Sequence, residues 1–182
     1  MRAEPGQRIF FALWPDDAVR RQIVDQFRHT PQSRTSARLM RKHNLHITLH
    51  FIGNVDAEQR GCMHQAAQQV RGEPFQLSLD RYGHFYRAKV FWLGSEQAPQ
   101  ALFDLYAALG EAIEPCGYRV ERRPYAPHVT LLRKLNRPGE MIKPEPIQWS
   151  VNEFVMVESV PIESGVDYRV IERYALVGNG AG

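Results

Sequence analysis

The chain has 182 residues, of which 43% are hydrophobic and 24% are charged, and its formal net charge is +3. These values are those of an ordinary soluble globular protein with a sizeable core, so we expect one domain over residues 1–182. The apolar run at residues 9–14 is too short for a membrane span or a signal-peptide core, and we expect a cytoplasmic protein.

The hydrophobic pattern predicts alternating strands and helices. In chain order these are a strand at 8–14, a helix to about residue 29, a strand at 45–52, a helix at 57–70, strands at 75–81 and 89–93, a helix at 99–116, and strands at 128–133, 149–159 and 168–177. Asp16 or Asp17 is placed to cap the first helix, and Asp56 with Gln59 predicts a capping box at the second. Gly53 is predicted to end the strand before it.

The two cysteines, Cys62 and Cys116, fall in predicted helices far apart in the sequence. They lack the Cys-x-x-Cys spacing of a zinc site, and two cysteines do not suggest a disulfide framework. We therefore expect both to be reduced and structural.

Two short segments carry the same motif, His-x-Thr-Leu, beginning at His46 and His128. With 7 histidines and 4 threonines, chance predicts roughly 0.15 His-x-Thr triplets, whereas the chain contains two. The alternating apolar neighbours are typical of a half-buried strand, so each histidine shares a strand face with its threonine, Thr48 or Thr130. A single histidine on a strand is more often structural, but the duplication in matching frames favours a functional pair.

Two imidazoles and two hydroxyls are suited to acid-base attack on a phosphate ester. One neutral histidine takes a proton from water, a protonated one gives a proton to the leaving oxygen, and hydroxyls donate to the non-bridging oxygens. No metal or other cofactor is needed, and the rate should be bell-shaped in pH. Basic residues near both motifs would attract a phosphate-bearing ligand; they are Arg38, Arg41, Lys42, Arg119, Arg122, Arg123, Arg133, Lys134 and Arg137.

The separation of 82 positions between His46 and His128 indicates an internal duplication. We expect an α+β, bilobal fold with a pseudo-two-fold axis, in which two antiparallel sheets flank a central cleft and helices lie on the outside. Each lobe would contribute one His-x-Thr motif.

The chain resembles the 2H phosphoesterase superfamily, which has two His-x-Thr motifs on the strands of such a fold. Within it the chain is similar to the bacterial RNA 2',3'-cyclic phosphodiesterase family, formerly described as 2'-5' RNA ligases. The resemblance covers nearly the whole chain and is carried by residues 8–12, 44–49, 51–53, 90–94 and 123–133 and by the strand from Tyr168.

The resemblance implies metal-independent hydrolysis of an RNA or nucleoside 2',3'-cyclic phosphate to a 2'-phosphate, and it is also associated with reversible, ATP-independent 2'-5' ligation. It implies that His46 is the acid and His128 the base, although the motifs alone leave these roles open. It implies that Thr48, Thr130 and Arg133 bind phosphate.

Three further residues are candidate substrate-binding residues, namely His50, Tyr125 and Phe11. His50 adds a third basic side chain on the expected face of His46. Arg133 lies five residues after its histidine, which is odd parity, so either the strand bulges there or the side chain wraps round its end.

The sequence also leaves other functions open. A zinc site at His46 and His50 is disfavoured, because four strand residues span about 13 Å. A non-catalytic RNA-binding module could stack bases on aromatic residues, of which Tyr82, Phe85, Tyr86 and Tyr125 are candidates. A related enzyme could act on a small cyclic nucleotide or an ADP-ribose cyclic phosphate. We expect a monomer without an obligate protein partner or membrane attachment.

Overall fold

A computed structural model describes residues 6–178. The strands are β1 (Gln7–Leu13), β2 (Arg38–Leu39), β3 (Ile47–Val55), β4 (Phe75–Leu79), β5 (Arg81–Phe85), β6 (Val90–Gly94), β7 (His128–Arg133), β8 (Ile147–Val151), β9 (Glu153–Ile162) and β10 (Gly165–Ala175). The helices are α1 (Asp17–Arg28), α2 (Ala57–Gln69) and α3 (Gln100–Ile113), with short 3-10 turns at Pro31–Arg34, Lys42–Asn44 and Glu114–Cys116. Within residues 6–178, no helix has the length and apolar character needed to cross a bilayer.

The helix starts follow the capping chemistry expected from the sequence. Asp16 caps α1 by accepting a hydrogen bond from the backbone amide of Val19, and Asp56 and Gln59 form the predicted capping box at α2. These local signals were read correctly because a cap depends on residues three positions apart.

The strands form an α+β fold dominated by one antiparallel sheet. Its order is β10-β9-β1-β3-β7-β6-β5, with β2 paired to β7, while β4 and β8 form a separate pair. The two motif strands, β3 and β7, are neighbours and meet at one position, Ile47 opposite Val129. The two sheets expected from the sequence are therefore joined into one at the centre of the molecule.

The two faces of this sheet have different roles. One face packs against the helices and forms the main core, which includes Ile47, Leu49 and Val129. The other face carries a small apolar cluster around Phe10, whose buried members lie on β1 and β9. The alternation of the strands places the motif histidines and threonines on this second face.

Several predicted strand boundaries were wrong, including those at Gly53, Asp80 and Asn152. Strand β3 continues through Gly53 to Val55. Gly53 has a φ of 92° and lies beside an irregularity in the pairing with β1, so this glycine belongs to a β-bulge and not to a turn that ends the strand. The strand predicted at 75–81 breaks at Asp80 into β4 and the separate strand β5. The strand predicted at 149–159 breaks at Asn152 into β8 and β9.

The prediction of two reduced cysteines was also wrong, because Cys62 and Cys116 form a disulfide. Cys62 lies on α2, and Cys116 ends the 3-10 turn that follows α3. These two helices pack side by side, which brings together cysteines separated by 54 residues. Sequence spacing alone does not report that packing.

Candidate active site

Both motif histidines are held by the carbonyl oxygen of the residue two positions earlier. His46 Nδ1 lies 2.6 Å from the oxygen of Asn44, and His128 Nδ1 lies 2.7 Å from the oxygen of Ala126. A carbonyl oxygen only accepts, so each Nδ1 carries a proton and donates it. In the neutral form of each ring, Nε2 is then the nitrogen with a free lone pair.

Thr48 links the first motif to its surroundings. His46 Nε2 lies 2.9 Å from Thr48 Oγ1, and the hydroxyl donates when the imidazole is neutral. The hydroxyl of Tyr125 donates to the carbonyl oxygen of Thr48 at 2.9 Å. This second bond fixes the segment that precedes β7 against β3, and so fixes the two motifs relative to each other.

Each motif strand contains a β-bulge three residues after its histidine. On β3, Thr48 pairs with Ala12 and His50 with Phe11, so Leu49 has no partner on β1. On β7, Thr130 and Leu132 pair with consecutive residues of β6, so Leu131 has no partner there. A bulge inverts the alternation of the residues that follow it.

The bulges decide which side chains return to the histidine face. Leu131 and Leu132 are both buried, and Arg133 then emerges on the same face as His128. Leu49 and His50 are likewise both buried, and Phe51 emerges 50% exposed. Of the two alternatives for Arg133, the bulged strand is the one observed. Phe51 is its counterpart in the first motif.

The expectation that His50 contacts substrate was wrong. His50 is 1% exposed and points to the helix side, where Nε2 lies 2.7 Å from the carbonyl oxygen of Tyr106 and Nδ1 lies 3.1 Å from the hydroxyl of Tyr118. Its ring stacks on Tyr106 at a centroid distance of 4.3 Å. The bulge at Leu49 is the physical reason, since it reverses the parity that the sequence implied.

The expectation that Phe11 contacts substrate was also wrong. Phe11 is fully buried and packs against Phe154 and Tyr174 on the helix side of the sheet. Its neighbour Phe10 is the residue on the histidine face, with its ring 4.9 Å from that of His46.

No cluster of three or more His, Cys, Asp or Glu side chains within residues 6–178 is arranged to hold a metal ion. The zinc alternative needed His46 and His50 on one face of β3. The bulge places them on opposite faces.

Aromatic rings surround His46. Phe10, Trp14 and Tyr168 have centroids 4.9, 5.7 and 5.3 Å from its ring. Behind Trp14 lies the buried Arg20, whose guanidinium carbon is 4.8 Å from the indole centroid. Trp14, Tyr168 and Arg20 were not recognised from the sequence, because only the fold brings them around the motif.

This environment suppresses protonation of His46. Burial lowers its pKa to about 4, and the positive charges of His128, Arg133 and Arg20 act in the same direction, against the favourable bond to Asn44. Burial also lowers the pKa of His128, with Arg133 acting in the same direction. Both histidines of the free protein are therefore neutral at pH 7.

The motif residues line two connected chambers. The chamber beside His46, here called the arginine chamber, has a volume of about 410 Å³; its charged lining residues are Arg8, Arg38, Arg41 and Arg133. The chamber beside His128, here called the aromatic chamber, has a volume of about 720 Å³; its aromatic lining includes Phe85, Tyr86, Tyr106 and Tyr125. Thr48, Phe51 and Arg133 line both chambers.

The aromatic residues singled out from the sequence divide between the core and this site. Tyr82 is buried and stacks on Phe91, so it is a core residue. Phe85 lies 4.9 Å from the ring of His128, and Tyr86 is 69% exposed at the edge of the chamber. Tyr125 lines the chamber and stacks on Tyr106 at 4.0 Å.

The model of the 2'-5' RNA ligase superfamily matches residues 15–160, which include both motifs. The chain belongs to this superfamily. Among curated relatives, the RNA 2',3'-cyclic phosphodiesterase of Escherichia coli strain K12 is 35% identical, over 96% of this chain and 98% of that protein. The enzyme of the same name from Thermotoga maritima is 28% identical, over 90% of this chain and 92% of that protein.

Solved structures of this superfamily agree with the fold. The crystal structure of E. coli LigT complexed with 3'-AMP has a TM-score of 0.86 and is 33% identical, covering 95% of this chain and 99% of that one. The same protein complexed with phosphate has a TM-score of 0.81 and 30% identity, covering 95% of this chain and 99% of that one. The superfamily model matches from residue 15 onward, whereas each LigT structure covers 95% of this chain.

Proposed function

We propose that this chain hydrolyses the 2',3'-cyclic phosphate of an RNA end or a nucleoside to a 2'-phosphate, using two histidines and no metal or nucleotide cofactor. The observation that carries the proposal is the matched pair of imidazoles, each with Nδ1 fixed by a backbone carbonyl, beside a cleft that shares Arg133. Relatives named RNA 2',3'-cyclic phosphodiesterase support the substrate.

In the proposed reaction, His128 is the base and His46 the acid. His128 Nε2 removes a proton from water as the water oxygen attacks phosphorus. The bond from phosphorus to the 3' oxygen breaks, and the protonated Nε2 of His46 gives its proton to that oxygen. The product is a 2'-phosphate with a free 3'-hydroxyl, and exchange with solvent restores both imidazoles.

The low pKa of His46 fits an acid that is charged only when substrate is present. A bound phosphate anion would favour the imidazolium form, so we expect substrate binding to raise the pKa of His46 from its low value in the free protein. The hydroxyls of Thr48 and Thr130 and the guanidinium of Arg133 would donate to the non-bridging oxygens, where negative charge increases in the transition state.

The same geometry also accommodates attack by an alcohol in place of water. If a ribose 5'-hydroxyl replaces water as the nucleophile, attack on the cyclic phosphate with loss of the 3' oxygen leaves a 2'-5' linkage. No nucleotide is consumed, because the strained cyclic phosphate carries the free energy for the new bond. We include this ATP-independent ligation in the proposal.

We further propose that the sheet contains two pseudo-symmetric halves derived from a duplicated unit. The β1-β3 and β6-β7 strand pairs support this proposal because they have three features in common. In each pair the motif histidine has Nδ1 against a backbone carbonyl oxygen, a threonine follows two residues after the histidine, and a bulge follows three residues after it. Single matching motifs arise by chance more easily than this set of coincident features.

The proposal is tested by phosphorus NMR of adenosine 2',3'-cyclic phosphate incubated in EDTA with the wild type, His46→Ala and His128→Ala. We expect 2'-AMP from the wild type, and far slower turnover by both variants. The rate constant kcat should be bell-shaped in pH, because one imidazole must be charged and the other neutral.

Other outcomes would contradict the proposal in different ways. A 3'-AMP product would overturn the choice of leaving oxygen. Loss of activity in EDTA, or a flat profile from pH 5 to 9, would contradict the two-histidine mechanism. Binding without turnover of mononucleotide or of a short cyclic-phosphate RNA would favour the non-catalytic RNA-binding module.

A further inference from the structure

The arginine chamber has more positive charge than one cyclic phosphate requires. Four arginines line it and no acidic side chain does so among the described lining residues. The nearest carboxylate along β10, that of Asp167, is held by Arg169 at 2.9 Å and lies 3.4 Å from His43. The guanidinium groups of the chamber are therefore not neutralised by a protein partner on its wall.

Two of these arginines face each other across adjacent strands. Arg38 of β2 lies directly opposite Arg133 of β7 in the antiparallel register. Like charges in this position are destabilising in an unliganded sheet. Both side chains line the chamber, so an anion bound between or beside them would relieve the repulsion.

The turn between β9 and β10 holds the outer side of the chamber. One guanidinium nitrogen of Arg41, Nη2, donates to the hydroxyl oxygen of Ser164 and lies 3.4 Å from its carbonyl oxygen. Gly165 follows with a φ of 135°, and a Cβ there would lie 2.5 Å from Nη2 of Arg38. A larger residue would displace the Arg38 guanidinium, so the turn both anchors Arg41 and leaves space for Arg38.

The chemistry of a cyclic-phosphate RNA end identifies the anion. The terminal nucleotide has its 2' and 3' oxygens in the ring, so any further phosphate is attached through its 5' oxygen. The aromatic chamber offers stacking surfaces for a base, whereas the arginine chamber offers charge. A cyclic phosphate at Arg133 would place a neighbouring phosphate on the arginine side.

We propose that Arg38 and Arg41 form a second phosphate subsite, which binds the 5'-phosphate group of the terminal nucleotide and makes the protein selective for oligonucleotide ends over simple nucleosides. The identity of the ligand rests on the proposed function. The placement of the subsite rests on the arginine pair, the Ser164 contact and the shared cavity.

The kinetic test compares adenosine 2',3'-cyclic phosphate with and without a 5'-phosphate group. We expect the 5'-phosphate to raise kcat/KM at least about tenfold, as one or two charge-assisted contacts would. In Arg38→Ala/Arg41→Ala the ratio of the two kcat/KM values should fall to near 1. The control is Arg71→Ala, which should keep the wild-type ratio. Arg71 is an exposed arginine outside both chambers, and its guanidinium donates a hydrogen bond to the carbonyl oxygen of Gln68.

A dinucleotide ending in a 2',3'-cyclic phosphate separates the charge from the added base. With a normal phosphodiester linkage it should show the same gain, whereas an uncharged methylphosphonate linkage should abolish it. An equal loss on both mononucleotides in the double arginine variant would overturn the proposal, because it would place Arg38 and Arg41 on the cyclic phosphate. A wild-type ratio near 1 would overturn it as well.

A binding test keeps this inference separate from the proposed hydrolysis. Titration calorimetry with adenosine 3',5'-bisphosphate and with 3'-AMP measures the added 5'-phosphate without any turnover. We expect the bisphosphate to bind at least about tenfold more tightly to the wild type and equally to the double variant. If no substrate is hydrolysed but this difference is found, the subsite stands and the proposed function fails. If the two nucleotides bind the wild type equally, the subsite is contradicted.

Discussion

The two halves of the site share a backbone and differ in their side chains. In each, Nδ1 of the histidine donates to the carbonyl two residues earlier, and a bulge three residues later returns the fifth residue to the cleft. That fifth residue is Phe51 in the first half and Arg133 in the second. The repeated features set the tautomers, whereas the differing ones give the two imidazoles different electrostatic surroundings.

The surroundings of the histidines differ correspondingly. His46 is enclosed by three aromatic rings with the buried Arg20 behind Trp14, while His128 contacts Phe85 and Trp92, with centroid distances of 4.9 and 6.2 Å. An identical motif thus acquires different properties from residues outside it. We expect this difference to separate an acid from a base.

Removing either imidazole should have the largest effect. His46→Ala and His128→Ala should each lower kcat by about 10²- to 10⁴-fold, since each loses one proton transfer. The kcat of the double variant should be little lower than that of the less active single variant, because the two residues act as a unit. Single-turnover rates measure this, and the exposed His29→Ala is the control. Independent, multiplying losses would contradict the coupled pair.

The next largest effect is on the pH dependence of stability, and it arises from the burial of His46. Its pKa is about 4 in the folded protein against 6.5 for the ordinary residue, so between these values the unfolded chain binds more protons. The free energy of unfolding should therefore fall as the pH drops from 7 to 4, with His46 accounting for about 2–3 kcal/mol.

Urea unfolding at several pH values measures this effect. His46→Gln should lose correspondingly less stability over the same pH range than the wild type. His29→Gln controls for the removal of an exposed histidine. An unchanged pH dependence in His46→Gln would contradict the assignment to His46.

Replacing Arg133 and Phe51 separately tests the difference between the two halves of the cleft directly. Arg133→Ala should lower kcat/KM by about 10- to 100-fold, since it removes charge-assisted bonds to the phosphate, and Arg133→Lys should recover part of the loss. Phe51→Ala removes an apolar surface instead and should cost less than about fivefold. Steady-state kinetics with a cyclic mononucleotide compares them, and a larger loss in Phe51→Ala would reverse their assigned importance.

The smallest expected effects are those of the hydroxyls. Thr48→Val and Thr130→Val keep the β-branched shape on each strand, and each should lower kcat by about 3- to 10-fold for one lost hydrogen bond. The matched control is Thr35→Val. In the wild type the Thr35 hydroxyl donates to the carbonyl oxygen of Gln32, away from both chambers. Equal rates in all three variants would remove the threonines from the proposed phosphate contacts.

Sequence reasoning succeeded where the signal is local. Helix caps depend on residues a few positions apart, and the motif strand β7 was predicted with its observed bounds, residues 128–133. It failed where one extra residue changes the geometry. The bulge at Leu49 sends His50 into the core, and the local alternation around Leu49 does not by itself distinguish this segment from a regular strand.

Non-local packing was the other source of error. The disulfide between Cys62 and Cys116 depends on α2 lying against α3, and the enclosure of His46 depends on strands at opposite ends of the chain. The repeat itself contained an unused signal. Because both motifs continue as His-x-Thr-Leu, a bulge inferred from Arg133 could have been carried over to Phe51 and His50.

The most direct test of unlike roles for like motifs uses a 2',3'-cyclic phosphate with sulfur in place of the 3' oxygen. A thiolate leaves without a proton, so an acid is no longer needed. His46→Ala should then regain most of its lost rate relative to the wild type, while His128→Ala should stay as impaired as on the oxygen substrate. Rescue of His128→Ala instead, or of neither variant, would contradict the assignment of His46 as the acid.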